Sequence, residues 1–370
     1  MQLTQDLLKV LLNFRNFNEE IIEILHRAMH NELELVGRAD LFLQSNAFLK
    51  TLIMSTAIKL GIFEYLSNKS ATLQQIAKDL KLNKKALGRL LYGLEAHTFI
   101  EREYKNRTHF YRNSKLVEAF LIKSSEYYLG NYLELINKTW NYWYQLPDVV
   151  RSGKPNTSME LFHGEKNIIY LYYEVANSIM IHLSKQLVGQ LNLSNVNRVI
   201  TGEVGITFVN ELLNKKPEIS YVIAGLEDHL PFIEKLFERF TCQKGPEEVI
   251  TSKKGEASKD KWGKKEKYDL VFLYRKLAFK NYGLNYLKKA YEVLDKDGFV
   301  IVIEPTTDSL QPSMWNIADI QLMDLMVGGE EAPQIYSSDK IQEMLEGVGF
   351  RDCKKVECMG GMAIFVIGYK

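Results

Sequence analysis

The chain has 370 residues, 46% of them hydrophobic and 25% charged, with a formal net charge of +1. That length exceeds one ordinary core and suits two domains, while the composition excludes a disordered chain. The near-neutral balance gives no global pull toward nucleic acid or anionic membrane, and no apolar run reaches the roughly 20 residues that a spanning helix needs.

The cysteines, Cys242, Cys353 and Cys358, form neither a metal-ligand spacing nor a disulfide framework, as expected of a cytoplasmic protein. The opening MQLTQDLLKVLLNF carries Asp6 inside its apolar stretch and no basic lead, so no secretory signal is predicted. Residues 1–45 read as helical, with apolar residues at helical spacing between Ile21 and Val36. His26 and His30 stand four apart on one face, which reads as a surface or interface pair; no metal site is predicted.

AFLKTLIMSTAIKLGIFEYL (47–66) reads as one helix, apolar on too wide a stripe for a solvent-facing position, hence buried or shared with a second subunit. ATLQQIAKDL follows as a short helix that Thr72 can cap. A second helix starts at Asn83 and carries Leu87, Leu90, Leu91 and Leu94 toward a core. IEREYKNRTHFYRN then reads as a hairpin turning at KNRT. Helix, helix and hairpin make a winged helix. Residues 114–190 read as helical and rich in tyrosine and tryptophan, broken by the loop-like RSGKPNTSMELFHG.

From about residue 196 the pattern alternates strand and helix: VNRVITG, ITFVNELLNKK, ISYVIAGL, LPFIEKLFERF, KYDLVFLYRKL, GLNYLKKAYEVL, GFVIVIEP and SSDKIQEMLEGVGF. CKKVECMG and GMAIFVIGYK close the chain as an antiparallel pair. Continuous apolar strands alternating with helices predict an α/β fold with a mostly parallel sheet covered on both faces.

Winged helix, aromatic helical middle, then IKLGIFEYL, KYDLVFLYRKL, GLNYLKKAYEVLDKDGFVIVIEP and IQEMLEGVGFRDCKKV in their proper places resemble the plant-type and bacterial small-molecule O-methyltransferases, over about residues 45–370. The resemblance implies three segments. Residues 1–150 form a helical and winged-helix dimerisation domain, 151–195 linking helices along a chamber, and 196–370 a Rossmann-like class I methyltransferase domain. It also implies a homodimer, S-adenosylmethionine (SAM) as cofactor, and a small substrate, aromatic or polyketide-like, methylated on a hydroxyl.

The same resemblance assigns site residues. The family's first sheet strand ends in Asp-x-Gly-x-Gly-x-Gly; here VITGEVGITF offers Gly202, Glu203 and Gly205, with Ile200 at the acidic position and Val204 and Ile206 at later glycine positions. The acid that would hold the ribose hydroxyls falls on Gly225, with Glu227 and Asp228 just beyond. Weak SAM affinity is therefore expected. A seven-lysine stretch, TSKKGEASKDKWGKKEKYD, replaces the adenine region and reads as a solvated loop. The family's general base, a His, falls on Ala278 in RKLAFKN, whereas its two flanking acids fall on Glu304 and Glu331. At the end of an apolar strand, Glu304 should be desolvated and able to accept a proton near neutrality.

Two alternatives follow from the same residues. The fold could serve a non-methylating enzyme (a cyclisation or rearrangement) or a small-ligand-binding protein. The winged helix, with Lys84, Lys85, Arg89, Arg102, Lys105, Arg107 and Arg112, could instead meet DNA, a reading opposed by the neutral overall charge.

Overall fold

The computed structural model describes residues 45–155, 166–240, 245–252, 262, 267–277, 283–309, 317–331 and 334–370. The helices read over residues 1–44, His26 and His30, Cys242, Ala278 and most of the lysine-rich stretch lie outside the described residues. Contacts divide the chain into two units between Ser114 and Lys115.

In the first unit the expected helix over 47–66 is two, α1 (Ala47–Lys59) and α2 (Ile62–Leu66). The chain turns at Gly61, whose φ of 70° is left-handed backbone that glycine adopts without strain. A short strand, β1 (Ala71–Thr72), leads to α3 (Leu73–Asp79). Thr72 closes a capping box: Gln75 N donates to its Oγ1 at 3.3 Å and Thr72 N donates to Gln75 Oε1 at 2.8 Å. Asn83 caps α4 (Lys84–Ala96) by accepting from Ala86 N at 3.0 Å. The wing is β2 (Ile100–Lys105) paired with β3 (Thr108–Asn113) through Asn106 and Arg107. Both turn residues have positive φ, which matches the twist of a two-residue hairpin. Three of the hairpin's cations are already matched: Arg102 with Glu95 at 3.0 Å, Lys105 with Glu103 at 2.7 Å and Arg112 with Glu101 at 2.6 Å. Each pair offsets a positive charge on the hairpin with a neighbouring carboxylate.

Among the described residues the second unit opens with the helices α5 (Lys115–Phe120), α6 (Gly130–Trp143), α7 (Leu146–Ser152) and α8 (Lys166–Gln190). The sheet and its helices then alternate as β4 (Arg198–Thr201), α9 (Ile206–Lys215), β5 (Ser220–Leu226), α10 (Leu230–Arg239), β6 (Glu248–Ser252), β7 (Tyr268–Tyr274), α11 (Gly283–Val293), β8 (Leu294–Ile303), α12 (Ile317–Gly328), α13 (Ser338–Val348), β9 (Arg351–Cys358) and β10 (Ala363–Tyr369). The strand β6 and the helix α12 were not read from the sequence.

The seven strands stand in the order β6-β5-β4-β7-β8-β10-β9. β4 to β8 run parallel, and β10 pairs antiparallel with both β8 and β9. Successive side chains along a strand point to opposite faces, so the apolar runs feed two cores. Val199, Tyr221, Ile223, Phe272 and Ile301 join α8, α9 and α10 on one face. Ile200, Val222, Val271, Leu273 and Val302 join α11 and α13 on the other. The chain builds outward from β4 to β6 and then restarts on the far side of β4 with β7. Ligand crevices of such sheets open at that reversal, beyond the C-terminal ends of the strands.

Phe272 is 1% exposed and stacks on Phe208 with ring centroids 4.3 Å apart, which pins α9 to the middle of the sheet. Phe272→Ala should lower unfolding free energy by about 3–5 kcal/mol in urea titrations with an unchanged slope. A loss below about 1 kcal/mol would mean that this contact is not part of the core.

Candidate functional site

The site is built where β4, β5, β7 and β8 end. Beyond Thr201 the chain makes a single 3-10 turn over Glu203–Gly205 and enters α9. Gly205 is required there, because a β-carbon on it would collide with Thr201 Oγ1. Gly202 is not required; the nearest atoms to a β-carbon would be Ala224 O at 3.7 Å and Lys276 Cε at 3.8 Å. Asn177 of α8, fully buried, ties this turn down: its Nδ2 donates to Glu203 O at 3.0 Å and its Oδ1 accepts from Thr207 N at 3.3 Å.

The turn aims the Glu203 side chain across the end of β5. Its Oε1 accepts from Leu226 N at 3.2 Å and lies 3.4 Å from His229 Nδ1. A β-carbon on Gly225 would sit 2.7 Å from that oxygen, so Gly225 is glycine because Glu203 covers it. His229 Nδ1 also shares a 2.8 Å hydrogen bond with Tyr173 Oη of α8. Burial pushes the Glu203 carboxyl up, but the His229 hydrogen bond and the Lys276 charge outweigh it and hold the pKa at about 2. Lys276, just past β7, is the reciprocal case. Burial lowers it, and the Glu203 charge, with Tyr286 and Tyr172 beside it, leaves it above the usual lysine value. Tyr173 is pushed well above the phenol range by burial first and by Glu203 second.

Glu227, expected as a substitute acid, stands exposed in the 3-10 turn after β5, as does Asp228. The carboxylate that covers the end of β5 comes from the β4 turn instead.

A second group sits beside the first. Glu304 follows β8, is 4% exposed, and accepts from Leu277 N at 2.7 Å. Leu277 is fixed in turn by Gly283, where a β-carbon would meet the Leu277 carbonyl. Arg275 ends β7 with a left-handed φ of 47°, an uncommon conformation for a residue with a side chain. Its Nη2 donates to both carboxylate oxygens of Asp324 on α12, at 2.9 and 2.8 Å. Desolvation raises Glu304 from the ordinary 4.5 to about 7, against the opposing Leu277 hydrogen bond and Arg275 charge.

Glu331 ends a 3-10 turn over Gly329–Glu331 that is anchored by Glu330 N donating to Gly153 O at 2.7 Å. Its side chain lies outside the described residues, as does the whole of Ala278. The structure thus brings Gly202, Glu203, Gly205 and Gly225 together, sets Glu304 on the neighbouring strand ends, and leaves Glu227 out. Arg275, Lys276, Asp324 and His229 were missed in the sequence, whereas Tyr173 belongs to the aromatic helical stretch that was read there. One signal was available: an Arg-Lys pair directly ends the apolar strand YDLVFLY.

The seven-stranded sheet with its antiparallel edge pair is the fold of the methyltransferase structures that this chain is similar to. Within that class the chain resembles the O-methyltransferases. Residues 42–123 match the family model of the O-methyltransferase dimerisation domain. Acetylserotonin O-methyltransferase of Gallus gallus is 32% identical over 119 residues, 31% of this chain and 34% of that protein. The 3-hydroxy-5-methyl-1-naphthoate 3-O-methyltransferase of Streptomyces sahachiroi is 25% identical over 185 residues, 48% of this chain and 52% of that one. The chain therefore spans a third to a half of the curated relatives it matches. Likeness in fold is broader. An O-methyltransferase family protein from Burkholderia thailandensis superposes with a TM-score of 0.72 at 18% identity, over 90% of this chain and 97% of that one. Human N-acetylserotonin methyltransferase in complex with SAM gives 0.71 at 17%, over 88% and 95%.

SAM does not fit the residues as they stand. The open side of Gly225 is filled by Glu203, whose carboxylate is already hydrogen-bonded and 3% exposed. Lys276 Cε stands 3.8 Å from where a Gly202 β-carbon would be, so a lysine stem also occupies the approach to this turn.

The raised Glu304 pKa has a sign that can be measured. The folded carboxyl holds its proton more tightly than the unfolded one, so its stabilisation is complete below about 4.5 and is lost as pH rises through about 7. Glu304→Gln keeps an acceptor for Leu277 N and cannot ionise. Wild type should lose on the order of 3 kcal/mol relative to this variant between pH 5 and 8 in parallel denaturation curves. A difference independent of pH would contradict the assignment.

Proposed function

We propose that this protein is an O-methyltransferase-like enzyme that binds a small hydroxyl-bearing molecule at the C-terminal ends of β7 and β8 and takes the hydroxyl proton onto Glu304. The observation that carries this is the Glu304 carboxyl itself, buried at a strand end, oriented by Leu277 N and poised at about 7. A base near the working pH combines adequate ionisation with adequate basicity. Tyr172 of α8 acts on Arg275, Lys276 and Tyr274 electrostatically and packs on Tyr173 with ring centroids 5.7 Å apart, so α8 brings aromatic side chains toward these strand ends. This supports an aromatic or polyketide-like substrate. Glu331 belongs to this reading as a second acid, supported by the anchored turn that carries it.

Methyl transfer from SAM to the same hydroxyl is the second reading, favoured by the activities named for the relatives. It requires Glu203 and Lys276 to leave the places described above. A non-methylating conversion, or ligand binding alone, requires neither to move.

The test screens hydroxylated aromatics by thermal shift and follows the best binder by calorimetry across pH. Affinity should rise between pH 6 and 8 in wild type, as Glu304 becomes an acceptor, and stay flat in Glu304→Gln. Matching profiles in the two proteins would remove Glu304 from the site.

A homodimer completes the proposal. Helix α1 exposes Phe48, Leu49 and Leu52 by 44%, 42% and 38% within its own unit, and it lies in the segment that matches the dimerisation domain. Light scattering should give twice the chain mass of 42.8 kDa, and Leu52→Asp should shift it toward the monomer. A wild-type monomer at micromolar concentration would reject this.

A further inference from the structure

The reversal between β4 and β7 is where a doubly wound sheet opens a crevice for a nucleotide, and acids near the second strand's end hold ribose hydroxyls. In this chain that place is filled from within. Glu203 Oε1 takes Leu226 N, and His229 and Tyr173 close over it. The carboxylate is ionised and 3% exposed, with Lys276 supplying the compensating charge. An ionised buried carboxylate is tolerated only where partners replace water, and here the partners belong to the protein. Glu203 Oε1 is therefore committed to the protein's own donors.

We propose that Glu203 is a built-in occupant of the nucleoside side of the crevice: its side chain fills the space over Gly225 and takes the backbone donor there, so the wild-type protein does not bind SAM or its nucleoside fragments. This deepens the reading above, since it limits ligands to small molecules without a nucleoside. It does not depend on Glu304, which serves the other side of the crevice.

The geometry yields an exchange experiment. A side chain at Gly225 collides with Glu203, so an acid is admitted at 225 only once Glu203 is cut back. Full-length wild type, Glu203→Gln, Glu203→Ala and Glu203→Ala/Gly225→Asp are titrated calorimetrically with S-adenosylhomocysteine and with adenosine. Wild type and Glu203→Gln should give no measurable heat, the second because glutamine still fills the space. Glu203→Ala should bind S-adenosylhomocysteine at least tenfold more tightly than wild type, and the double variant more tightly again. Low-micromolar binding to wild type that weakens in Glu203→Ala would overturn the proposal and make Glu203 a ligand residue. Equal affinities in all four proteins, or no binding in any, would also overturn it, because Glu203 would then not be what closes the crevice. Wild type needs no altered side chain, so its titration stands even if Glu203→Ala fails to fold. The ligands here carry a nucleoside, whereas the pH titration with hydroxylated aromatics carries none, which keeps a failure here distinct from a failure of the Glu304 reading.

Discussion

Two cations and three carboxylates meet at the C-terminal ends of the central strands, with His229 and Tyr173 packed beside them. Lys276 and Arg275 are the cations; Glu203, Asp324 and Glu304 are the carboxylates. Arg275 is committed to Asp324 by two oxygen contacts, and Lys276 answers Glu203. Glu304 is left with a backbone N–H and no cation of its own, and it is the carboxyl that keeps a proton to about 7. Glu203 and Glu304 are both fully buried, so the difference between about 2 for the first and about 7 for the second comes from partners. The site's chemistry follows from that unequal sharing.

Ordinary backbone requirements hold this arrangement in place. Thr201 forces glycine at 205, which lets α9 begin tightly enough to aim Glu203 over β5. Asn177 joins α8 to the same turn. Gly283 presses the start of α11 against Leu277, which keeps the Leu277 N–H on Glu304. At the far end of the sheet, Asp269 of β7 accepts from Asn197 and Arg198 N at 2.7 and 2.9 Å and sets where β4 starts. The Asn177 link is the buried one: losing its side chain would leave Glu203 O and Thr207 N unsatisfied, at about 1–3 kcal/mol apiece.

Most of the fold was legible in the sequence, because strands buried on both faces announce themselves as unbroken apolar runs and two of the helices by their caps, Thr72 and Asn83. EVITS carried too short an apolar signal to mark β6 beside the lysine-rich stretch. The apolar run of 47–66 concealed a turn that rests on Gly61 alone. The site was legible in part. Glu304 could be placed because the end of an apolar strand fixes both its position and its desolvation. Glu203 could not be given its place, because linear spacing looked for an acid at 225, whereas the carboxylate over 225 arrives from a neighbouring strand 22 positions earlier. Which strands are neighbours is set by the sheet order and is not contained in local spacing.

The account rests on the claim that Glu304 is the unmatched acid of this cluster. Carbon-13 titration of glutamate side-chain carboxyls, with Glu304 assigned by its absence in Glu304→Gln, reads that directly. A resonance titrating near 7, moving downward in Asp324→Asn as Arg275 is released toward Glu304, is the predicted result. A Glu304 resonance titrating near the ordinary 4.5, unmoved by Asp324→Asn, would contradict it.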